Sequence, residues 1–266
     1  MEDRIRVTLE QGVADVRLVR GDKMNALDDA MFDALRRIGE QLKATPGLRV
    51  VVLSGEGRAF CAGLDTANFG RMASGQRGGE RLIQGERTPG GSNPSQHAVM
   101  VWRELPVPVI AAVHGVAYGG GFQLMLAADL RFMHAATRLS IMEINWGLVP
   151  DMGGMVLLPR LVRDDVAREL TYSGRVFSGS EAQQIGLATR LCEDPHADAL
   201  AWARDIATKP PKAMRAAKRL LDLAGQADAQ ALLMAESQEQ ARLIGAPEQV
   251  EAVNARLAQR PPVFAD

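Results

Sequence analysis

Two short, unbroken apolar runs constrain this chain more than any other feature: Val50-Val51-Val52-Leu53 and residues 109–113. A run of four or five apolar residues without alternation has no face to offer water, so each reads as a strand covered on both sides. Ahead of the first run, Ile5, Val7 and Leu9 alternate with polar residues. Val16 and Leu18 do the same beyond Gln11-Gly12, and the two patterns predict a β-hairpin. From Asp28 the period lengthens: Met31, Leu35, Ile38 and Leu42 fall on one helical face that ends before Pro46-Gly47. Strand, helix and covered strand together predict an α/β core.

The next stretch is less regular. Between Asp65 and Ala98 the chain is rich in Gly, Ser, Asn and Arg with little periodicity, which predicts a mobile loop with one short helix near 80–85. After the second covered strand comes a triple glycine, Gly119-Gly120-Gly121, then a helical apolar stretch at 122–128 and a strand near 130–133. Beyond about Asp194 the pattern is helical, with Ala/Leu-rich stretches at 199–207, 213–223 and 229–244. No repeat of fixed period is evident. The expected organisation is a strand–helix core over residues 1–195 with a helical region over 196–266.

Composition removes several function classes. The 266 residues are 47% hydrophobic and 24% charged, ordinary values for a globular protein. A formal net charge of −1 lacks the basic excess that phosphate neutralisation requires, so no nucleic-acid partner is expected. Lys209, Lys212, Arg215, Lys218 and Arg219 form the densest cationic cluster, and their spacing reads first as a solvated helix face. The start, Met1-Glu2-Asp3-Arg4, is charged, and no apolar run has signal-peptide or membrane-spanning character. With two distant cysteines, Cys61 and Cys192, the expectation is a reduced, cytoplasmic protein.

Three segments remain as candidates for chemistry once dinucleotide, P-loop, nucleophile-elbow and zinc-helix motifs are excluded. The first is Arg58-Ala59-Phe60-Cys61-Ala62-Gly63-Leu64-Asp65, where small residues just past a strand admit a ligand to the backbone, or simply form a tight turn. In the second, a strand runs through His114-Gly115 into the triple glycine at the start of a helix. There, free N–H groups suit an anionic oxygen, and close strand–helix packing is the alternative. The third runs from Glu143 to Gly154. Glu143 lies between apolar residues, and a carboxyl buried there has a raised pKa suited to proton transfer, unless it is a satisfied structural acid. The four histidines show no ligand spacing, so no metal is expected.

Together these segments resemble the crotonase (enoyl-CoA hydratase/isomerase) family. Residues 59–65 resemble its first oxyanion segment, 115–123 the second, and 143–154 the acid/base segment with its Pro-x-x-Gly-Gly ending. Lys23-Met24-Asn25-Ala26-Leu27 resembles the coenzyme A-contacting turn, and Arg160-Leu161, Gly174-Arg175, 182–186 and 260–264 fit later parts of the pattern. The resemblance implies a spiral of ββα units, an acyl-CoA thioester substrate, and C-terminal helices used in a homotrimer or dimer of trimers. It implies an oxyanion hole made by the backbone N–H groups of Leu64 and Gly120. Substrate and coenzyme A contacts are then expected at Lys23, Asn25, Ala26, Ala59, Ala62, Asp65, Gly119 and Gln123. Coenzyme A enters as part of the substrate, and no separate cofactor is implied.

Two residues particularise the chain. Hydratases of this family carry a Glu where this chain has Gln123, which cannot exchange a proton, although it can orient water or an acyl polar group. Asp151 stands where dienoyl-CoA isomerases carry an aspartate and a benzoyl-CoA dehalogenase carries its nucleophile; a helix N-cap is the structural alternative. The leading expectation is double-bond isomerisation by Glu143 and Asp151. Hydration by the same pair and a non-catalytic acyl-CoA- or RNA-binding relative are the alternatives. Phe69, Met72 and Trp102 are candidates for the acyl pocket, or ordinary packing.

Overall fold

The computed structural model describes residues 4–75 and 79–265. Part of the charged start, Met1 to Asp3, lies outside the described residues. Along the chain run β1 (Ile5–Glu10), β2 (Val13–Leu18), β3 (Val50–Gly55), β4 (Val109–Val113), β5 (Val116–Tyr118), β6 (Leu130–Met133), β7 (Arg138–Ser140), β8 (Phe177–Ser178) and β9 (Arg190–Leu191). Six of them form a sheet ordered β1-β2-β3-β4-β6-β9, and β5-β7-β8 form a second. The hairpin β1–β2 is antiparallel, and every later pairing in the large sheet is parallel.

The two apolar runs behave as their composition demands. Val51 and Leu53, with Val109, Ala111 and Val113, enter the larger core. Val50, Val52, Ile110 and Ala112 face the opposite way into a second core. The first face is covered by α1 (Asp29–Lys43), which Asp28 caps by accepting from Met31 N–H at 2.8 Å. The segment expected as a loop contains α2 (Thr66–Ala73), α3 (Glu80–Gln84) and the start of α4 (Pro94–Arg103). Only the short helix near 80–85 was legible there. Helix α4 packs on α1 so closely that a Cβ at Gly39 would lie 2.5 Å from Val101 Cγ2.

The remaining helices are α5 (Gly120–Leu126), α6 (Gly154–Leu157), α7 (Asp164–Ser173), α8 (Gly179–Gln184), α9 (Pro195–Ala207), α10 (Pro211–Ala224), α11 (Ala229–Leu243) and α12 (Pro247–Leu257). The whole is an α/β fold with a mostly parallel large sheet and a helical C-terminal region. Helix α9 covers the second face of the large sheet through Ala199, Ala203 and Ile206. Among the described residues no helix is long and apolar enough to cross a membrane.

One expectation for α10 needs correction: its cations are not a uniformly solvated face. Lys218 is buried, donating to Val107 O at 2.9 Å and to Asp129 Oδ2 at 2.8 Å. Arg215 donates to Leu48 O at 3.0 Å, and Arg219 pairs with Glu239 of α11. Asp129 also accepts from Val109 N–H at 2.8 Å, so this one carboxylate ties α10 to the entrance of β4. Lys218→Met should destabilise the fold by about 2 kcal/mol, because it leaves the Val107 carbonyl unpaired and strips one cation from Asp129, which keeps Arg103. The denaturant midpoint at unchanged slope is the measurement that checks it.

Candidate active site

Strand β3 delivers the chain into residues 56–65, and β4 delivers it into β5 and the glycines. Residues 60–62 then run beside β5. Phe60 N–H donates to His114 O at 3.0 Å, Cys61 N–H to Val116 O at 3.1 Å, and Tyr118 N–H to Cys61 O at 3.1 Å. On its other side the same segment pairs with Leu27, whose N–H donates to Gly63 O at 2.8 Å and whose carbonyl accepts from Asp65 N–H at 3.1 Å. Alternate N–H groups of an extended backbone point opposite ways. With Gly63 and Asp65 turned toward Leu27, the N–H of Leu64 points away from it.

The glycines make the close approach possible. A Cβ at Gly63 would sit 2.5 Å from Tyr118 O and 3.5 Å from Gly120 N, and its φ is +87°. Gly119 takes φ 49° and ψ −117°, a backbone that side chains oppose. The backbone at Gly63, next to Leu64, thereby lies against Gly120. Among the described residues neither the Leu64 nor the Gly120 N–H donates to an acceptor of the chain.

Glu143 opens a 3₁₀ turn, Glu143–Trp146, directly after β7 and Ile141-Met142. It is 9% exposed. Its Oε1 accepts from Gln123 Nε2 at 2.7 Å and lies 3.5 Å from where a Gly119 Cβ would be. Its Oε2 is buried with no hydrogen-bond partner. Burial pushes its pKa above the usual glutamate value, and the negative charge of nearby Asp151 adds to the rise; hydrogen bonds from its own backbone N–H and from Gln123 oppose it.

Both ends of the Gln123 amide are engaged within the chain. Its Oε1 accepts from Met152 N–H at 2.8 Å and Gly154 N–H at 3.0 Å while its Nε2 donates to Glu143. The helix-cap alternative for Asp151 is corrected by the same contacts. Gly153, at φ 97°, holds the cap position of α6, and the Gln123 amide accepts the first helical N–H. Asp151 is exposed and acts on Glu143 through its charge.

The turn expected to contact coenzyme A is built by Asn25, which is fully buried. Its amide donates to Glu56 O, Ala59 O and Phe60 O at 3.0, 2.8 and 3.2 Å, and accepts from Arg20 N–H at 2.9 Å. That side chain braces the site from within. Asp65 likewise caps α2 by accepting from Ala67 N–H at 2.9 Å, and pairs with Arg20 at 2.5 Å. Those two partners hold its carboxyl below the usual aspartate value, the Ala67 hydrogen bond foremost.

Lys23 is exposed, and Ala26 and Ala62 are half-buried, with Ala62 N–H donating to Met24 O at 2.9 Å. Ala59 is fully buried. Cys61 is fully buried too, its thiol donating to Asn25 O at 3.1 Å and pushed up to about 12 by burial. Trp102 is fully buried in the core, donating to Ala98 O.

Phe69 stacks on Trp146, with ring centroids 4.3 Å apart and planes 22° from parallel. This pair joins α2, which follows Leu64, to the turn that Glu143 opens. The sequence offered Phe69 as a candidate; Trp146 was missed, although its place three residues after Glu143 was the available signal, since such residues eclipse in a 3₁₀ turn.

The enoyl-CoA hydratase/isomerase family model matches residues 8–266. The chain is 30% identical to mitochondrial methylglutaconyl-CoA hydratase of Mus musculus, over 99% of this chain and 84% of that protein. It is 28% identical to peroxisomal Delta(3,5)-Delta(2,4)-dienoyl-CoA isomerase of Arabidopsis thaliana, over 98% and 95%. The crystal structure of enoyl-CoA hydratase from Bacillus anthracis superposes with a TM-score of 0.88 at 30% identity, covering 98% of each chain. The chain therefore belongs to the crotonase family of acyl-CoA hydratases and isomerases.

Proposed function

We propose that the protein moves a carbon–carbon double bond within an enoyl- or dienoyl-CoA thioester. The observation that carries this reading is the pairing of one buried carboxyl, Glu143, with a neutral neighbour, Gln123, where a second acid would complete a two-carboxylate hydration site. The thioester oxygen is assigned to the N–H groups of Leu64 and Gly120. Glu143 removes a proton from the carbon chain, and the electron pair moves onto that oxygen as an enolate or dienolate. The same proton, or one from Asp151, returns at another carbon, so that the double bond moves without gain or loss of atoms. Each preorganised donor to such an oxyanion lowers the barrier by on the order of 3 kcal/mol. Coenzyme A is part of the substrate, and the step draws on no other cofactor.

The acyl chain is assigned to the side bounded by Phe69 and Trp146. A hydratase is the second reading, with Glu143 and Asp151 sharing a water, and the charge of Asp151 on Glu143 favours it. Association through the C-terminal region, as a trimer or dimer of trimers, belongs to the same proposal. Helix α11 buries none of its residues within the chain and exposes Leu233 and Met234.

Mass spectrometry of 2-enoyl-, 3-enoyl- and dienoyl-CoA esters incubated in deuterated water tests the reaction. Deuterium uptake without added water is the expected outcome; gain of one water would make the protein a hydratase. Glu143→Gln should lower turnover by at least about 10²-fold with KM little changed. It should also raise stability at neutral pH. A carboxyl whose folded pKa lies above its unfolded value binds more protons folded than unfolded, so ionisation costs stability as pH rises between the two. The stability gap between variant and parent should close as pH falls below the ordinary glutamate value of about 4.3, in denaturation series read against pH.

A further inference from the structure

We propose that Gln123 is a positioning residue that fixes which oxygen of Glu143 carries the proton, and holds Asp151 in register with it. The inference rests on the reading of Glu143 as the acid/base.

The hydrogen-bond directions leave one arrangement. Met152 N–H and Gly154 N–H converge on one end of the Gln123 amide at 2.8 and 3.0 Å. A backbone N–H only donates, so that end is the carbonyl oxygen, and the opposite end is the NH₂ group. The NH₂ only donates, so the Glu143 oxygen it meets at 2.7 Å accepts, a role the carbonyl oxygen of a protonated carboxyl fills better than its hydroxyl oxygen. In the protonated acid this favours the hydrogen on Oε2. That oxygen is buried and without a partner in the chain, so it is the one presented for transfer.

A carboxyl free to rotate would offer either oxygen. Here the backbone of α6 dictates the choice through one amide. The same two N–H bonds hold residues 152–154, and so place Asp151 relative to Glu143. Among the described residues Asp151 is the other charged group acting on Glu143. Helix α5 presents no charge to it. On the α7 side the charged groups pair among themselves, Arg168 with Asp164 and Arg175 with Glu169 and Glu181.

Two substitutions separate positioning from mere support. Gln123→Glu keeps an acceptor for the two N–H groups but faces Glu143 with a second carboxylate; two carboxylates that close share one proton and one pKa rises strongly. Gln123→Met removes both interactions. The titration of Glu143 is read directly as the carboxyl infrared difference between each form and its Glu143→Gln counterpart. Both variants should titrate at higher pH than the parent, Gln123→Glu more than Gln123→Met.

Exchange of the α-hydrogens of butanoyl-CoA in deuterated water is the second readout, since this ester neither isomerises nor hydrates. The acid limb of the exchange rate should move up in the same order, with the rate down by on the order of a hundredfold in Gln123→Met and KM within about threefold. A Glu143 titration that coincides in all three forms overturns the inference. If the titration moves while the parent exchanges no hydrogen, the positioning stands and the reading of Glu143 as the acid/base fails.

Discussion

The active site hangs from the double pairing of residues 61–64, with β5 on one side and Leu27 on the other. Each pairing uses only main-chain groups, so the geometry is set by strand register and not by side-chain packing. The two pairings consume the N–H and carbonyl groups on either side of Leu64 and leave its own N–H directed away from Leu27. Asn25 then ties the turn to the same segment from within, with four hydrogen bonds from one buried amide. Donors held this way need no reorganisation when charge develops on an oxygen between them, which is the condition under which they contribute most.

Burial acts on the two halves of this site in opposite senses. Removing water strengthens fixed N–H dipoles toward a developing anion, and it raises the energy of the resting Glu143 carboxylate. The fold tolerates the second effect because Gln123 donates to one oxygen and because the acid is a single one. An ionised pair at 2.7 Å would raise the cost further, and the glutamine avoids it.

Much of this was legible in the residues, for reasons that differ by element. The runs that became β3 and β4 were clear because both faces of each strand lie in a core. The glycine cluster and Glu143 were clear because neither fits ordinary packing. Helix α2 was hidden because Asn68 is its one described side chain that is fully buried, so no apolar stripe marks it. The roles of Asn25 and Gln123 were out of reach, since apart from Arg20 their partners lie 20 to 35 residues away and polar types carry no sign of what they will meet. Asp151 looked like a cap because its spacing to the helix was right; a glutamine amide from another helix occupies the position instead. Lys218 sat at helical spacing among other cations, and the approach of Asp129 and the Val107 carbonyl separates it from them.

Cys61 lies in the middle of the doubly paired segment, and its thiol is buried, hydrogen-bonded and pushed up to about 12. A thiol so placed presents almost no thiolate to a reagent. It becomes reactive only when the strand beside β5 separates from the turn at Asn25, the same event that dismantles the proposed oxyanion donors. The chain thus carries its own chemical clock for the opening of the catalytic framework: alkylation at Cys61 counts how often that framework comes apart, while the less buried Cys192 keeps a separate time.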